Sequence, residues 1–166
     1  MDNMVKRIIC ILVGLIVMFN LSACFVNEHI DRGEIKEISD NFIELFIQKD
    51  TNELFNCYCS DIRENRKEET DEEMQNAFDF IDGNIVDYEF SSFGGEEEKK
   101  TSGHIYFYQC NSRYVNVLTD MGKKYTIRFA YCHIYTEHPE YEGLWRITIT
   151  DDNKTMITVG QFYPPG

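Results

Sequence analysis

The chain has 166 residues, of which 16 are Lys or Arg and 29 are Asp or Glu, so its formal net charge is −13 at pH 7. Such an acidic balance argues against nucleic acid as a partner, because phosphate backbones select Lys and Arg, and against adhesion to anionic lipid headgroups. Hydrophobic residues make up 43% of the chain, which is enough for a packed core and argues against wholesale disorder, and the length suits one domain.

The N-terminus has the layout of a secretory signal. Lys6 and Arg7 form a charged n-region, and an apolar run over residues 8–19 follows them. This run is shorter than the roughly 20 apolar residues that a membrane-spanning helix needs. The segment Leu21–Cys24, with the letters LSAC, then resembles a bacterial lipobox. The resemblance implies cleavage before Cys24 and transfer of a diacylglycerol to its thiol, and the alternative is an ordinary cleaved signal with a chance cysteine.

The lipobox predicts how the chain is divided and where it is located. We expect a lipoprotein signal peptide over residues 1–23, a short tether over 24–30 and a single domain over 31–166. The expected location is the extracytoplasmic face of the cell membrane, and the lipid bilayer is then a partner through acyl chains, such as palmitate, on Cys24. Two or more such chains are needed, since one chain binds a bilayer only marginally.

Four cysteines are left for the domain, because Cys10 leaves with the signal and Cys24 carries lipid. The four are Cys57, Cys59, Cys110 and Cys132. An even number outside the cell permits disulfides, so the alternatives are buried free thiols, at least one bridge, and metal or redox chemistry. Zinc sites favour two paired clusters, which these spacings do not match, so no metal site is predicted.

Apolar residues at helical spacing begin after Asp31, whose pairing with Glu34 resembles a capping box. The first predicted helix has an apolar stripe that consists of Ile35, Ile38, Phe42, Leu45 and Phe46. Asp50 and Glu53 repeat the capping pattern and open a second helix. The inward-facing residues of that helix are Leu54, Phe55, Tyr58, Cys59 and Ile62.

A nearly all-charged segment over residues 63–69 is predicted to be a solvated connection. Thr70 and Glu73 then resemble the start of a third helix, and Gly83 is placed for its left-handed C-cap. The apolar face of this helix consists of Met74, Ala77, Phe78 and Ile81.

After Gly83 the apolar period changes from 3.6 to 2, which is typical of strands. Strands are predicted over residues 85–90, 104–110, 114–119, 124–136, 145–149 and, as a short last strand, within 155–162. Gly94 and Gly95, followed by three glutamates, are predicted to form a loop that repels phosphate, and residues 120–122 a hairpin turn. The expected fold is α+β, with three N-terminal helices packed on a curved antiparallel sheet of four to six strands.

The order of elements resembles the cone-shaped, cystatin-like fold of the nuclear transport factor 2-like superfamily. More specifically, residues 114–120, residues 122–125 and the hairpin at His138-Pro139 resemble a family of short lipoproteins from Gram-positive bacteria that carry a domain of unknown function. The resemblance covers about residues 35–151. It implies the fold and the surface location, and it supplies no catalytic residue.

A candidate ligand pocket follows from the aromatic face of the long predicted strand. Its residues are Tyr88, Tyr131, His133, Tyr135 and Trp145. His133 is the imidazole on that face, and a half-buried core histidine is the alternative to an acid/base residue. Asp87 and Glu89 alternate with Tyr88 and are expected to point to water, so no inward general base is predicted.

The favoured function is therefore a membrane-anchored, non-enzymatic module that binds an unknown protein or small-molecule ligand, with no cofactor. One alternative is an immunity or antitoxin-like protein whose acidic surface neutralises a basic secreted protein, which is an analogy with other cone folds. Another is a small-molecule isomerase or hydrolase-like enzyme that uses His133.

Overall fold

The computed structural model of the chain describes residues 28–164. The predicted signal peptide over residues 1–23, the lipidation residue Cys24 and the first part of the predicted tether lie outside the described residues. None of the described helices has both the length and the apolar composition that crossing a membrane requires.

The second half of the domain is one antiparallel sheet whose five strands are neighbours in chain order. The strands are β1 (Ile85–Thr101), β2 (His104–Thr119), β3 (Lys124–Tyr135), β4 (Gly143–Asp151) and β5 (Met156–Val159). Successive strands can pair in this way because short turns connect them, and the predicted turn after Thr119 is one of these turns. The α+β class is confirmed, with a strand number inside the predicted range.

Within residues 28–164, four helices precede the sheet, so the prediction of three was wrong. They are α1 (Arg32–Gln48), α2 (Thr51–Asn56), α3 (Ser60–Asn65) and α4 (Lys67–Phe80). The predicted second helix is split at residues 57–59, because this backbone pairs with β4 instead of continuing the helix. The Leu144 amide donates to the Cys57 carbonyl at 2.8 Å, and the Cys59 amide donates to the Leu144 carbonyl at 3.1 Å.

The helix starts agree with the sequence in two places and differ in one. Asp31 accepts a hydrogen bond from the Gly33 amide, and Asp50 accepts one from the Glu53 amide, so both predicted N-caps are confirmed. Thr70 does not cap a helix, because α4 begins three residues earlier and Thr70 is buried within it. The charged segment 63–69 is thus mostly helical, and an ion pair between Arg66 and Glu69 stabilises the first turn of α4.

The predicted loop at Gly94 and Gly95 is absent, because β1 continues through both glycines to Thr101. Its pairing with β2 shifts between Gly94 and Glu97, which is a bulge that allows the strand to bend. The two predicted strands 104–110 and 114–119 are likewise one strand. The hairpin that joins β1 to β2 turns at Ser102 and Gly103, whose φ angles of 50° and 85° match a two-residue turn with left-handed backbone.

The helices cover one face of the sheet, which we call the inner face. Ile127 and Phe129 of β3 are fully buried there, and the Phe42 ring of α1 lies 5.7 Å from the Phe129 ring. Arg128 lies between these two residues and Ala130 follows them. Both point to the opposite, outer face and are less buried. The outer face is therefore the part of the sheet that the described helices leave accessible.

Candidate functional site

The structure places the five residues of the predicted pocket in three different places. Tyr131 and His133 line a cleft between the helices and β3. Tyr135 and Trp145 line a groove that also contains outward-facing residues of β2 and β3. Tyr88 contacts the buried Tyr114, with their ring centroids 5.7 Å apart. The five side chains therefore do not line one cavity.

The cleft that contains His133 is broad and has a volume of about 570 Å³. The Tyr131 hydroxyl and His133 Nδ1 are 3.3 Å apart, and His133 Nε2 lies 3.8 Å from a Glu34 carboxylate oxygen. Burial raises the pKa of Tyr131 to about 12, so its hydroxyl stays protonated at neutral pH. Both nitrogens of His133 thus face polar neighbours at the rim of the cleft.

All four cysteines of the described chain are free thiols. Burial raises the pKa of Cys110 to about 11 and that of Cys132 to about 12. Cys57, which also borders the His133 cleft, donates through its Sγ to the Glu53 carbonyl at 3.3 Å, and burial raises its pKa as well. Because the thiolate is the nucleophilic form, these thiols are poorly reactive at neutral pH. Within residues 28–164, no group of three or more His, Cys, Asp and Glu side chains is placed to hold a metal ion.

A second concave site lies on the outer face of the sheet, and we call it the outer groove. Its arginine end has a volume of about 420 Å³, which falls within the roughly 300–1,000 Å³ typical of ligand sites. The residues that line this end are Ser92, Gly94, Gly95, Asn111, Arg113, Arg128, Ala130, Arg146 and Thr148. Three of them are arginines and none is a carboxylate, although the whole chain carries a net charge of −13.

The register of the strands brings the three arginines together. Arg113 of β2 lies directly opposite Arg128 of β3. Arg146 of β4 lies opposite Ala130, two residues further along β3, and is therefore diagonal to Arg128. Among the described residues, the side chains of Arg113 and Arg128 have no hydrogen-bond or ion-pair partner, whereas the Arg146 guanidinium donates to the Tyr163 hydroxyl at 3.0 Å.

The outer groove continues into an aromatic end with a volume of about 430 Å³, and Asn111, Ala130 and Arg146 line both ends. Aromatic pairs form the walls of this second end. Phe107 and Tyr135 have ring centroids 4.9 Å apart, and Trp145 and Phe162 have ring centroids 5.5 Å apart. The Trp145 indole N–H donates to the Tyr141 carbonyl, which holds the ring in place.

The glutamates that follow Gly95 do not line the arginine end of the groove. Glu96 accepts a hydrogen bond from the Tyr108 hydroxyl at 2.8 Å and pairs with Arg32. Glu97 pairs with Lys99, and Glu98 pairs with Lys100. Each carboxylate is thus engaged by a nearby donor, and Glu97 lines the adjoining aromatic end of the groove together with its partner Lys99.

The three arginines were not predictable as one site from the sequence, because strand register brings them together. Each occupies an outward position of a different strand, and nothing in the linear spacing of Arg113, Arg128 and Arg146 brings them together. The available signal was their alternation with buried neighbours, such as Ile127 and Phe129 around Arg128. That signal predicts which face of the sheet each arginine occupies. It does not predict which residue of the neighbouring strand lies opposite.

A family model described as a domain of unknown function, DUF5104, matches residues 41–154. The match covers more than half of the chain and includes all three arginines of the outer groove, as well as Tyr88, Tyr131, His133, Tyr135 and Trp145. No curated protein matches the chain.

Proposed function

The chain belongs to the DUF5104 family, and we propose that it is a lipid-anchored, non-enzymatic module that binds an anionic ligand in its outer groove on the extracytoplasmic face of the membrane. In this proposal the α+β domain is a cone of the nuclear transport factor 2-like type, and acyl chains on Cys24 hold it to the bilayer. The observation that carries the binding role is the cluster of three arginines without a carboxylate at the arginine end of the groove.

The position of Glu28 supports an anchor close to the domain. The Glu28 amide donates to the Gly103 carbonyl at 3.1 Å, and its carboxylate accepts from the Ile105 amide at 2.8 Å. Hydrogen bonds from His104 and from the Ile105 amide lower the pKa of Glu28, so its carboxylate is charged at neutral pH. An extended chain reaches about 14 Å over the four residue steps from Cys24 to Glu28. A lipid on Cys24 would therefore hold the β1–β2 hairpin end near the membrane surface.

The surroundings of His133 favour binding over catalysis at the other cleft. Its neighbours are a protonated tyrosine hydroxyl and, at 3.8 Å, the carboxylate of Glu34, whose side chain is 57% exposed. Asp87 and Glu89 of β1 are exposed, as the strand alternation predicts. Burial beside the reacting atoms tunes the pKa of a general base, and the carboxylates of Glu34, Asp87 and Glu89 lack that burial.

Two experiments test this function. Fractionation and mass spectrometry of the native chain are expected to find a diacylated Cys24 peptide in the membrane fraction, and Cys24→Ser should remain unprocessed and unlipidated. A bare thiol on the native N-terminal peptide would contradict the anchor.

Titration of the full chain with inorganic phosphate, followed by calorimetry, tests the groove. Arg113→Gln/Arg128→Gln should abolish binding, whereas Arg32→Gln/Arg63→Gln, which removes the same charge from the helical side, should retain it. Equal binding by both double variants would contradict an anion site in the groove.

A further inference from the structure

The described arginines differ in whether they have an acidic partner. Arg32 pairs with Glu96 and Arg66 pairs with Glu69, whereas Arg63 donates to the Ser60 hydroxyl and forms no ion pair. Among the described residues, Arg113, Arg128 and Arg146 form no ion pair, even though acidic side chains outnumber basic ones almost two to one. The guanidinium groups of Arg113 and Arg128 are therefore available for a ligand, whereas that of Arg146 already donates to the Tyr163 hydroxyl.

The charge and geometry of this cluster match a phosphate group better than a carboxylate. Guanidinium groups bind both anions through paired hydrogen bonds. A phosphomonoester has a charge of about −1.5 to −2 at pH 7 and three strong acceptor oxygens. Three arginines line the same end of the groove and supply enough donors for three terminal oxygens, whereas a carboxylate has one negative charge and two oxygens.

Small residues make room for this group at the arginine end. Gly94 and Ala130 lie on the outer face, and a Cβ atom added at Gly94 would meet nothing within 4 Å. Gly94 lies opposite Asn111 in the β1–β2 register, so a larger side chain at this position would project into the groove.

The aromatic end sets the character of the rest of the ligand. It opens directly from the arginine end at Arg146, and Phe107, Tyr135 and Trp145 contribute its apolar surface. The ring of Tyr163 already lies over the Arg146 guanidinium, with 5.7 Å between the guanidinium carbon and the ring centroid. Tyr163 therefore occupies the position over Arg146 at the junction of the two ends.

The acidic remainder of the protein limits the length of the ligand. A long polyanion would extend beyond the three arginines and meet a surface whose charge is strongly negative. A second copy of the chain is also disfavoured as an occupant, because a two-fold symmetric contact through this face would bring like arginine clusters together. A single compact anionic group satisfies both restrictions.

We propose that the outer groove binds a small phosphomonoester whose organic part is a flat apolar group, with the phosphate held by Arg113, Arg128 and Arg146 and the apolar part against Tyr135 and Trp145. This inference rests on the anion-binding role proposed above and adds the chemical class of the ligand. The two ends of the groove then recognise two different parts of one molecule.

Calorimetric titration of the full chain at pH 7 in a non-ionic detergent tests the proposal, with phenyl phosphate, inorganic phosphate, benzoate and phenol as probes. We expect phenyl phosphate to bind about tenfold or more tightly than each of the other three, because only this probe carries both recognised groups. Arg113→Gln/Arg128→Gln should lose this binding. Gly94→Leu should lose it too while the unfolding midpoint stays the same or rises, which separates a blocked groove from a misfolded protein.

Each other result overturns a defined part of the proposal. If inorganic phosphate binds as tightly as phenyl phosphate and depends on the arginines, the aromatic end has no role, while the proposed anion site remains. If benzoate binds equally well, a phosphomonoester is not the ligand class. If no probe binds in an arginine-dependent way, the ligand class and the proposed function both fail. A wild-type dimer that dissociates in Arg113→Gln/Arg128→Gln would show that a second copy covers this face.

Discussion

Arg113 and Arg128 lie directly opposite each other on β2 and β3, both exposed and both without an acidic partner in the described part of the chain. Like charges at directly opposite positions of an antiparallel pair destabilise a sheet. The chain has 29 acidic side chains, and an acidic neighbour on either strand would offset this repulsion. The anionic ligand proposed for the outer groove would relieve this repulsion.

Replacing one member of this pair should stabilise the free protein. Arg128→Gln is expected to raise the free energy of unfolding by about 0.2–1 kcal/mol at low ionic strength, because the cross-strand repulsion is removed. Urea unfolding measures the change, and 0.5 M salt should reduce it by screening. Arg63→Gln is the control for loss of one positive charge elsewhere, since Arg63 donates to Ser60 on the helical side. A loss of stability in Arg128→Gln that exceeds the control would contradict the repulsion.

Gly143 is expected to be the most sensitive glycine of the helix–sheet junction. Its φ is +124°, and an added Cβ would lie 2.9 Å from the Cys59 amide nitrogen and 3.0 Å from the Cys57 carbonyl oxygen. Gly143→Ala should therefore lower the free energy of unfolding by about 1–3 kcal/mol, through backbone strain and close contact. The measurement is the urea midpoint of the full chain.

Gly94→Ala is the matched control for this glycine prediction. Its added Cβ meets nothing within 4 Å, and alanine loses less backbone freedom on folding, so stability should be unchanged or rise by about 0.5–1 kcal/mol. Equal losses in both variants would mean that the bridge between residues 57–59 and β4 is not a tight contact.

The hydrogen bond between Tyr114 and Asp40 should contribute measurably to stability. Tyr114 is fully buried, and its hydroxyl donates to an Asp40 carboxylate oxygen at 2.8 Å. We expect Tyr114→Phe to lower the free energy of unfolding by about 1.5–3 kcal/mol, since the lost hydrogen bond has a charged acceptor. Tyr58→Phe is the comparison, because the buried Tyr58 hydroxyl donates to the neutral Val159 carbonyl at 3.3 Å. The smaller loss is expected in Tyr58→Phe, and the reverse order would refute the role assigned to Asp40.

Alkaline pH should destabilise the domain before its tyrosines ionise in the folded state. Burial raises the pKa of Tyr131 from 10.0 to about 12, that of Cys132 from 9.0 to about 12 and that of Cys110 from 9.0 to about 11. The unfolded chain therefore releases protons first as pH rises, so stability is fully present below about pH 9 and declines toward pH 12. Urea midpoints at pH 8, 9, 10 and 11 should decrease in order, and a flat series would contradict burial of these groups.

The Cys110→Ala variant isolates one contribution to this decline. Removing the thiol removes one group that titrates between pH 9 and about 11, so the decrease in stability over this interval should be shallower than in the native chain. An identical slope would show that Cys110 is accessible to solvent.

Much of the local structure was predictable because it depends on neighbouring residues. Asp31 and Asp50 were predictable as N-caps because the amides that their carboxylates bind are only two and three residues ahead in the chain. The turn after Thr119 and the alternation of buried residues along β3 as far as Phe129 were predictable for the same reason. The alternation breaks at the register shift between Ala130 and Tyr131, which the sequence did not reveal. The split at residues 57–59 was not, because the backbone partner that interrupts the helix is Leu144, far away in the chain.

The sequence by itself determined that a helical half precedes a meander of antiparallel strands, since periodicity, caps and turns are properties of adjacent residues, and it predicts a signal with a lipobox-like end. Only the tertiary structure decided which outward-facing side chains share a site. Strand register joined Arg113 to Arg128 and Arg146, and the bulge after Gly94 turned a predicted loop into one wall of a groove. Register depends on the pairing of whole strands, and a shift of one residue would have moved every side chain of a strand to the other face.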